Sequence, residues 1–202
     1  MTILSRLLTL FPFLVVASAI TALVWFILQP NPYAPAILLF ILYGFPVLCF
    51  RTHNLIFKNK DGLAYLINSP YSPWFGGHQF QWIYIAFPAL ETMLRLIPGL
   101  FSLWLRLWGA QIGKGVYWTP ILEITDRDRL LVGDHVIFGH RVGLYGHVIK
   151  PKNDNLLLFT RRIQIGSGAF IGAGARLGPG VVIEAGALVA TASDHFPNSR
   201  VT

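Results

Sequence analysis

The stretch "IQIGSG AFIGAG ARLGPG VVIEAG ALVATA", residues 163–192, divides into five blocks of six residues. One aliphatic residue stands third in every block: Ile165, Ile171, Leu177, Ile183 and Val189. A fixed period of six predicts a parallel β-helix, in which each side of a coil turns one aliphatic side chain inward and a small residue permits the corner. A plain amphipathic sheet would show a period of two, which this stretch lacks.

The same phase extends towards the N-terminus. It recovers one row of large residues and a parallel row of valines: Ile112, Trp118, Ile124, Val132, Phe138 and Leu144, then Val136, Val142 and Val148. Two extra residues in "TDRDRL" (125–130) interrupt the period once, and an excursion of about fifteen residues, 148–162, interrupts it again. We therefore expect a β-helix domain over 110–202, with hexads from about 110 to 192 and an excursion loop over 148–162.

The two interruptions carry their own expectations. In "TDRDRL", Asp126 and Asp128 favour a solvated turn with Arg127 and Arg129. In the excursion, the apolar run 156–159 would be an aggregation hazard if bare, so we expect it to pack on a neighbouring subunit or on lipid.

The N-terminal half has the composition of a membrane region. The chain is 54% hydrophobic and only 12% charged, too apolar for an ordinary soluble domain of 202 residues. Residues 7–28 carry no charge and are long enough to cross a bilayer, and residues 34–50 form a second, shorter candidate. Residues 1–109 are thus expected to be a membrane region that begins with a helical hairpin, while "NSPYSPWFGGHQ" (68–79) indicates a loop.

Charge around the two predicted spans indicates their orientation. The connection between the spans is uncharged, whereas Arg6 precedes the first span and Arg51, Lys58 and Lys60 follow the second. The positive-inside rule then places both ends of the hairpin, and the domain that follows, on the cytoplasmic side of the inner (plasma) membrane.

Residues 82–108 are apolar with four polar interruptions: Glu91, Arg95, Ser102 and Arg106. On a helix these four fall within a narrow stripe, which suits interfacial helices over about 80–108 with aromatic residues at headgroup depth. Pro98-Gly99 should break this segment in two. A third membrane span is the alternative interpretation. The fold class is mixed: N-terminal membrane helices, then a parallel β-helix.

The net charge of +7 fits a chain that contacts anionic lipid headgroups and holds a polyanionic cofactor. We find no basic run and no nucleic-acid-binding motif, so nucleic acid is not expected as a partner.

The segments "VGLYGHVIK" (142–150) and 161–199 resemble the hexapeptide-repeat acyltransferases with a left-handed parallel β-helix, most closely the galactoside and maltose O-acetyltransferase branch. The shared order is a Gly-His pair, here Gly146-His147, a loop of similar length, Ile-Gly hexads, and a Thr-rich turn with Pro-Asn, here 191–198. The resemblance covers the last ninety or so residues and none of the first hundred.

The resemblance implies a homotrimer with active sites between neighbouring β-helices and acetyl-CoA or another acyl-CoA as the donor. His147 would be the general base on the acceptor hydroxyl, because a neutral imidazole accepts a proton near neutral pH. Its implied cofactor-binding residues are Lys150, Lys152, Arg161 and Arg162, with backbone amides at Gly166, which is also the candidate oxyanion donor, Ala173, Gly174 and Thr191. Its implied acceptor-pocket candidates are Thr119, Glu123, Asp126, His140 and Tyr145, and the sequence does not choose among them.

A second resemblance tests for a metal site. The stretch "VGDHVIFGH" (132–140) resembles part of the γ-class carbonic anhydrases, with His140 in place of one zinc ligand. The second ligand position holds Tyr145 and the third has no histidine, whereas zinc needs about three converging protein ligands. We therefore expect no metal.

The leading hypothesis is a membrane-attached O-acetyltransferase that modifies a hydroxyl of a lipid-linked or amphipathic acceptor, with membrane lipids as further partners. A long-chain acyl-CoA or acyl-ACP donor and N-acylation are alternatives within the same chemistry. A non-catalytic β-helical scaffold at the membrane is the non-enzymatic alternative.

Overall fold

The computed structural model describes residues 2–67 and 70–202. The chain divides into two compact units. One takes in the N-terminal residues up to Asn59 and a stretch that ends at Ile83; the other takes in Lys60–Ile67 and Tyr84–Thr202.

Two long apolar helices dominate the first unit. Helices α1 (Ile3–Leu8) and α2 (Phe11–Leu28) follow one another, as do α3 (Tyr33–Leu39), a π-helical turn (Phe40–Gly44) and α4 (Phe45–Ile56). They form continuous stretches of 26 and 24 residues, which by length and composition are long and apolar enough to cross a membrane. The Asn31 side chain accepts hydrogen bonds from the amides of Tyr33 and Ala34, which closes the turn between them. The second helix is longer than expected and continues to Ile56.

The segment after the second long helix is more regular than the sequence indicated. Strand β1 (Gly62–Tyr65) precedes helix α5 (Pro73–Ala86), which starts inside the predicted loop 68–79. The loop prediction is therefore wrong from residue 73 onwards, where a proline at the first helical position favours helix initiation. Asn68 and Ser69, the first two residues of that loop, lie outside the described residues.

The second unit contains the β-helix, built from short parallel strands in three sheets. The sheets have the orders β13-β10-β5, β14-β11-β6-β3 and β15-β12-β9-β4-β2. The strands are β2 (Gln111–Ile112), β3 (Glu123–Ile124), β4 (Leu130–Val132), β5 (Ile137–Phe138), β6 (Gly143–Leu144), β9 (Ile163–Ile165), β10 (Phe170–Ile171), β11 (Arg176–Leu177), β12 (Val182–Ile183), β13 (Leu188–Val189), β14 (Asp194–His195) and β15 (Arg200–Val201). The hexapeptide β-helix is confirmed; its left-handedness stays a prediction.

The predicted inner row forms the core of the β-helix. All its members from Ile112 to Val189 are buried, and Phe138, Ile171 and Leu177 have no exposed surface. Ile165 pairs with Ile183, so a regular coil takes 18 residues. Val132 pairs with Ile165 across the fifteen-residue excursion. The register therefore passes both interruptions intact.

The turn expected at 191–198 contains strand β14, and the coil continues to β15, beyond the predicted limit of about residue 192. Asp194 pairs with Arg176, and Arg200 pairs with Val182, in the same parallel manner as the earlier strands. The backbone of this segment thus keeps the coil geometry after the aliphatic pattern of the sequence has ended.

The excursion is a β-hairpin and not a loop. Strands β7 (His147–Lys152) and β8 (Asn155–Thr160) pair antiparallel, and β1 pairs with the other edge of β8. Asn153 and Asp154, both with positive φ, make the two-residue turn. Leu157 and Leu158 are buried within this chain, so the expectation that the apolar run needs another subunit or lipid is wrong for them. Val148 is exposed in the hairpin, and Ile163 takes its place in the parallel row that contains Val136 and Val142.

Residues 84–108 turn their polar stripe inward. Proline and glycine divide the segment into helices α6 (Ala89–Arg95) and α7 (Leu100–Trp108), which are too short to span a bilayer. Glu91 accepts from Arg127, Ser102 accepts from the Trp118 indole, and Arg106 donates to carbonyls of the first coil. Three of the aromatic residues expected at headgroup depth are instead buried in this unit, namely Phe101, Trp104 and Trp108, whereas Phe87 is 50% exposed. The predicted boundary between residues 109 and 110 therefore falls inside the second unit.

The "TDRDRL" interruption is buried, contrary to the solvated turn expected from its charges. It contains a 3₁₀ turn (Arg127–Arg129), and Asp126, Arg127 and Arg129 are at most 2% exposed. Arg127 pairs with Glu91 at 2.7 Å, and Arg129 pairs with Asp61. Each buried guanidinium has a carboxylate partner, which is the condition under which such charges are tolerated in an interior.

The inner row makes a testable prediction about stability. Phe138→Ala should lower the free energy of unfolding by about 3–5 kcal/mol, because the ring is fully buried and stacks on Trp118. Gln111→Ala, at an exposed position on the outward side of β2, should cost about 1 kcal/mol or less. Denaturant unfolding of the full chain in a neutral detergent measures both. Equal losses would contradict the assigned inner and outer sides.

Candidate functional site

The predicted base, His147, lies beside a buried carboxylate. His147 begins strand β7 where the chain leaves the β-helix, and its Nδ1 is 2.6 Å from Asp126 Oδ2. The His147 side chain is 17% exposed, whereas that of Asp126 is 1% exposed. The Thr125 hydroxyl donates a second hydrogen bond to the same carboxylate oxygen at 2.7 Å. The first interruption of the six-residue period thus contributes Asp126, and His147 is the residue that directly precedes the second.

The glycine of the Gly-His motif permits this approach. A Cβ added at Gly146 would lie 2.8 Å from Asp126 Cβ and 3.0 Å from both Arg129 Cβ and Asp126 Oδ2. Cβ atoms are fixed by the backbone and cannot rotate away, so a larger residue would push the carboxylate from the imidazole. Gly146 is therefore required by packing, not by an unusual φ angle.

The hydrogen bond from His147 to Asp126 selects a tautomer of the imidazole. An ionised carboxylate can only accept hydrogen bonds, so the Nδ1 of neutral His147 must carry the proton. The basic lone pair then belongs to Nε2. A carboxylate in this position also stabilises the imidazolium that forms when Nε2 takes a proton.

His147 lies in a groove of about 460 Å³ on the face formed by β3, β6, β11 and β14. Among the described residues its lining comprises Thr125, Tyr145, His147, Val148, Arg176, Gly178, Pro179, Asp194, His195, Phe196 and Pro197. Arg176 and Asp194 form a bidentate pair across neighbouring strands at 2.6 and 2.7 Å. The hydrogen bond from Arg176 holds the pKa of Asp194 below its ordinary value. The groove therefore combines fixed polar groups with apolar lining residues such as Val148 and Phe196.

Tyr145 and Glu123 extend the polar side of this face. The Tyr145 hydroxyl donates to Glu123 Oε2 at 2.9 Å. Burial is the main cause that raises the pKa of Tyr145 to about 12, and this hydrogen bond is the second cause. Tyr145 thus keeps its proton at neutral pH and acts as a hydrogen-bond donor, not as a base.

Other predicted site residues lie at a different corner of the β-helix. The Gly174 amide donates to the carbonyl of His140, and the Ala192 amide donates to that of Ala173, so these residues stack on successive coils beside Thr191. None of His140, Ala173, Gly174 and Thr191 lines the His147 groove. Within one chain, the structure therefore separates the predicted residues into two groups.

Two candidates are engaged in the scaffold itself. The Gly166 amide, which the resemblance suggested as oxyanion donor, donates to the carbonyl of Ile183 in the coil stack. The Thr119 hydroxyl donates to the carbonyl of Gly139. Both groups hold neighbouring coils together, and neither residue lines the groove.

The basic candidates lie on and next to the hairpin. Lys150 and Lys152 are exposed on β7, and Arg161 and Arg162 are exposed where β8 returns to the β-helix. Arg161 donates to the Asn198 side chain at 2.7 Å, one residue beyond Pro197 of the groove. This arginine is the basic candidate that the structure connects to the edge of the groove.

The sequence missed two polar groups of the site and misjudged the burial of a third. Asp126 was one of several acceptor-pocket candidates and was expected in solvent, whereas Arg176 and Asp194 were not singled out. Arg176 and Asp194 occupy outward positions 18 residues apart, and this coil length would have indicated their pairing. The inward turn of Asp126 has no such periodic signal, because it lies in the irregular segment.

No protein-family model and no curated protein matches the chain. Similar solved structures include a hexapeptide-repeat acetyltransferase from Vibrio cholerae, 17% identical, covering 57% of this chain and 85% of that chain, with a TM-score of 0.38. A maltose O-acetyltransferase from Clostridium difficile is 19% identical over 56% of this chain and 77% of that one, with a TM-score of 0.33. Serine acetyltransferase isoform 3 from Entamoeba histolytica, in complex with cysteine, is 12% identical over 94% and 69%, with a TM-score of 0.36. At these identities and TM-scores the likenesses do not transfer an activity.

The Gly146 contact makes the next prediction. Gly146→Ala should destabilise the chain by about 1–3 kcal/mol, because its methyl group overlaps Asp126, and should change the ¹⁵N imidazole shifts of His147. Gly168→Ala is the control. Its added Cβ meets nothing within 4 Å, so it should cost about 1–2 kcal/mol from its positive φ and leave the His147 shifts unchanged. Unaltered His147 shifts in Gly146→Ala would contradict the packing role.

Proposed function

We propose that this protein is a membrane-attached acyltransferase that moves an acetyl group from acetyl-CoA to a hydroxyl of a lipid-linked or amphipathic acceptor. The observation that carries the proposal is the His147–Asp126 hydrogen bond at the edge of the groove. The resemblance of the Gly-His, excursion and hexad order to hexapeptide-repeat acyltransferases supplies the donor.

His147 is the general base in the proposed reaction. Nε2 takes the proton of the acceptor hydroxyl while the oxygen attacks the thioester carbonyl carbon. The tetrahedral intermediate collapses, its C–S bond breaks, and the leaving sulfur takes the proton from the imidazolium. Asp126 is the positioning residue, since it fixes the tautomer and stabilises the positive charge that exists between the two proton transfers.

The polar groups of the groove support a hydroxyl-bearing acceptor. Glu123 supplies acceptors, the Tyr145 oxygen supplies another because its proton goes to Glu123, and the Arg176–Asp194 pair supplies both donors and acceptors. Sugar hydroxyl groups both donate and accept, so they are matched by groups of both kinds. The apolar lining residues Pro179, Phe196 and Pro197 suit a sugar ring or an attached apolar group.

The donor is proposed to lie between copies of the chain. The corner that carries His140, Gly174 and Thr191 lies outside the His147 groove of its own chain, so we assign it to the cofactor side of a cleft formed with a neighbouring copy. Lys150, Lys152, Arg161 and Arg162 are the cations for the phosphates of CoA, because charge-assisted hydrogen bonds to phosphate are strong.

The two long apolar helices support attachment to the inner membrane with the β-helix in the cytoplasm. Confinement of enzyme and acceptor to one bilayer raises their effective concentration. A lipid-linked or amphipathic acceptor gains most from this arrangement.

The catalytic proposal makes a paired prediction. His147→Ala should lower kcat by about 10²–10⁴-fold, since the general base is lost. Asp126→Asn should lower kcat by about 10²-fold or more with little change in the KM of the acceptor, because an amide can present its NH₂ to Nδ1 and reverse the tautomer. Steady-state transfer from acetyl-CoA, together with the ¹⁵N shifts of His147, measures both effects.

His135→Asn is the matched control for loss of a histidine. His135 is exposed, lies outside the groove and has φ of 54°, which asparagine tolerates. Turnover in this variant should remain within about twofold of the parent, a difference of under 0.5 kcal/mol in barrier height. Near-normal turnover in His147→Ala would remove the proposed mechanism.

The proposed homotrimer has a candidate interface on another face of the β-helix. Ile137, Phe170 and Leu188 lie side by side on the outward side of the sheet β13-β10-β5 and are 43%, 41% and 75% exposed. Such a row of bare apolar side chains is typical of a surface that another protein covers.

Leu188→Glu should therefore dissociate the trimer, because it places a charge in the buried centre of the contact. Mass measurement by light scattering in detergent, corrected for bound detergent, gives the oligomeric state. Leu63→Glu, at a 68% exposed position on β1, is the control and should leave the mass unchanged. A monomeric parent chain, or a trimer unaffected by Leu188→Glu, would contradict this interface.

A further inference from the structure

Helices α6 and α7 present an apolar surface to the outside of their unit. Met93, Leu96, Ile97, Leu103 and Leu107 are between 48% and 72% exposed. The polar side chains of the same helices, such as Ser102 and Arg106, bond to the first coils of the β-helix. This polarity is the reverse of that of a helix facing water, and it suits the boundary between headgroups and acyl chains.

A cavity of about 390 Å³ opens at the border of this apolar surface. Ile97, Pro98 and Gly99, between the two helices, form one side, and residues 113–118 of the first coil form the other. Ile97 and Tyr117 are 57% and 60% exposed, so the lining includes accessible apolar surface. Phe101 and Trp118 are buried members of the lining.

The same cavity carries positive charge. Arg106 is held in place by hydrogen bonds from Nε to the Ile112 carbonyl at 2.9 Å and from Nη2 to the Gly113 carbonyl at 2.8 Å. Lys114 is exposed beside it. Arg95 is the third cation and is paired with Glu91. In the described part of the chain no Asp or Glu lines the cavity.

Asp134, which is bonded to the backbone of Lys114, has partners in the β-helix. Asp134 Oδ1 accepts the Lys114 backbone amide at 2.7 Å, and the Asp134 amide in turn donates to the Ser167 hydroxyl. Asp134 is thus tied to the coil stack and is not part of the cavity lining. The excess of cations next to an apolar surface matches an anionic headgroup attached to acyl chains.

We propose that this cavity binds the headgroup phosphate of an anionic phospholipid, with the acyl chains lying along the apolar surface of α6 and α7. Arg106 and Lys114 supply the charge, and the Ser102 and Tyr117 hydroxyl groups are the polar atoms nearby in the lining. The inference rests on the proposed membrane attachment and is independent of acyl transfer. A bound lipid at this position would fix the height and tilt of the β-helix unit at the bilayer surface.

The test uses the full chain in a neutral detergent and soluble six-carbon-chain lipids as probes. Dihexanoylphosphatidylglycerol should bind at least about tenfold more tightly than dihexanoylphosphatidylcholine, and calorimetry gives both constants. Lys114→Gln should weaken binding of dihexanoylphosphatidylglycerol about fivefold, which is the contribution of one cation near an anionic surface. Lys114→Arg should restore it, because arginine also binds phosphate.

Arg200→Gln is the matched control, since it removes the same charge from a 67% exposed side chain on the last coil. It should change the affinity by less than about twofold, because a distant exposed charge is screened by salt. His147→Ala should bind the lipid as the parent chain does, which separates this inference from the catalytic proposal.

Three results would overturn the lipid site. The first is equal affinity for the two lipids, and the second is an equal loss of phosphatidylglycerol affinity in Lys114→Gln and Arg200→Gln. The third is inorganic phosphate binding as tightly as dihexanoylphosphatidylglycerol. The last result would indicate a simple phosphate site without a contribution from acyl chains.

Discussion

The register of the inner row is the constraint on which the second unit depends. Every block of six residues must place one apolar side chain in the interior of the β-helix. A polar or missing side chain there would cost several kcal/mol of stability. Residues may be inserted only where they leave that register intact. Both insertions do so: Ile112 pairs with Val132, and Val132 pairs with Ile165. The hydrogen-bonded pair of the candidate site lies at these insertions, since the first contains Asp126 and His147 directly precedes the second. The regular coils supply the other polar groups of the groove and a rigid support for the pair.

The buried charges of the first insertion connect the scaffold to the helices. Arg127 pairs with Glu91 of α6, and its guanidinium lies 5.1 Å from the centre of the Tyr84 ring. Removing charges from water costs several kcal/mol per ion, so such a pair gives little net stability compared with an apolar substitute. Its effect is on orientation, because breaking the pair would leave an uncompensated buried charge. The rotation of α6 that satisfies Glu91 also places Met93 and Leu96 on the outside. The ion pair in the interior therefore determines that the apolar side of α6 faces outward.

The sequence predicted what repeats and missed what does not. The hexads identified the inner row from Ile112 to Val189 because periodic burial leaves a periodic pattern. Val148 has the phase of the valine row, but its predicted burial is wrong, because the chain leaves the coil at His147 and the valine row resumes at Ile163. The polar stripe of α6 and α7 was recognised, but its direction was wrong. A stripe shows only that one side of a helix differs from the other, and a buried partner such as Arg127 can reverse which side faces inward. Asp126 illustrates the same limit, because a charged turn is usually solvated unless each charge finds a partner.

The groups around the groove differ in the proton chemistry available to them, and this difference favours one residue as the base. Tyr145, with a pKa of about 12, keeps its proton at neutral pH and donates to Glu123. Asp194 is a weak base, because the hydrogen bond from Arg176 holds its pKa below the ordinary value. His195 Nε2 is 3.0 Å from the Ser193 hydroxyl, which donates its own proton to the Ala190 carbonyl, so Nε2 of His195 must be the donor in that contact. His147 differs because its protonated nitrogen faces the buried carboxylate of Asp126, which stabilises the imidazolium formed at the opposite nitrogen, whereas the partner of His195 is a neutral hydroxyl. A buried carboxylate that fixes one nitrogen defines the role of the other, and the geometry of Gly146 keeps that carboxylate within reach.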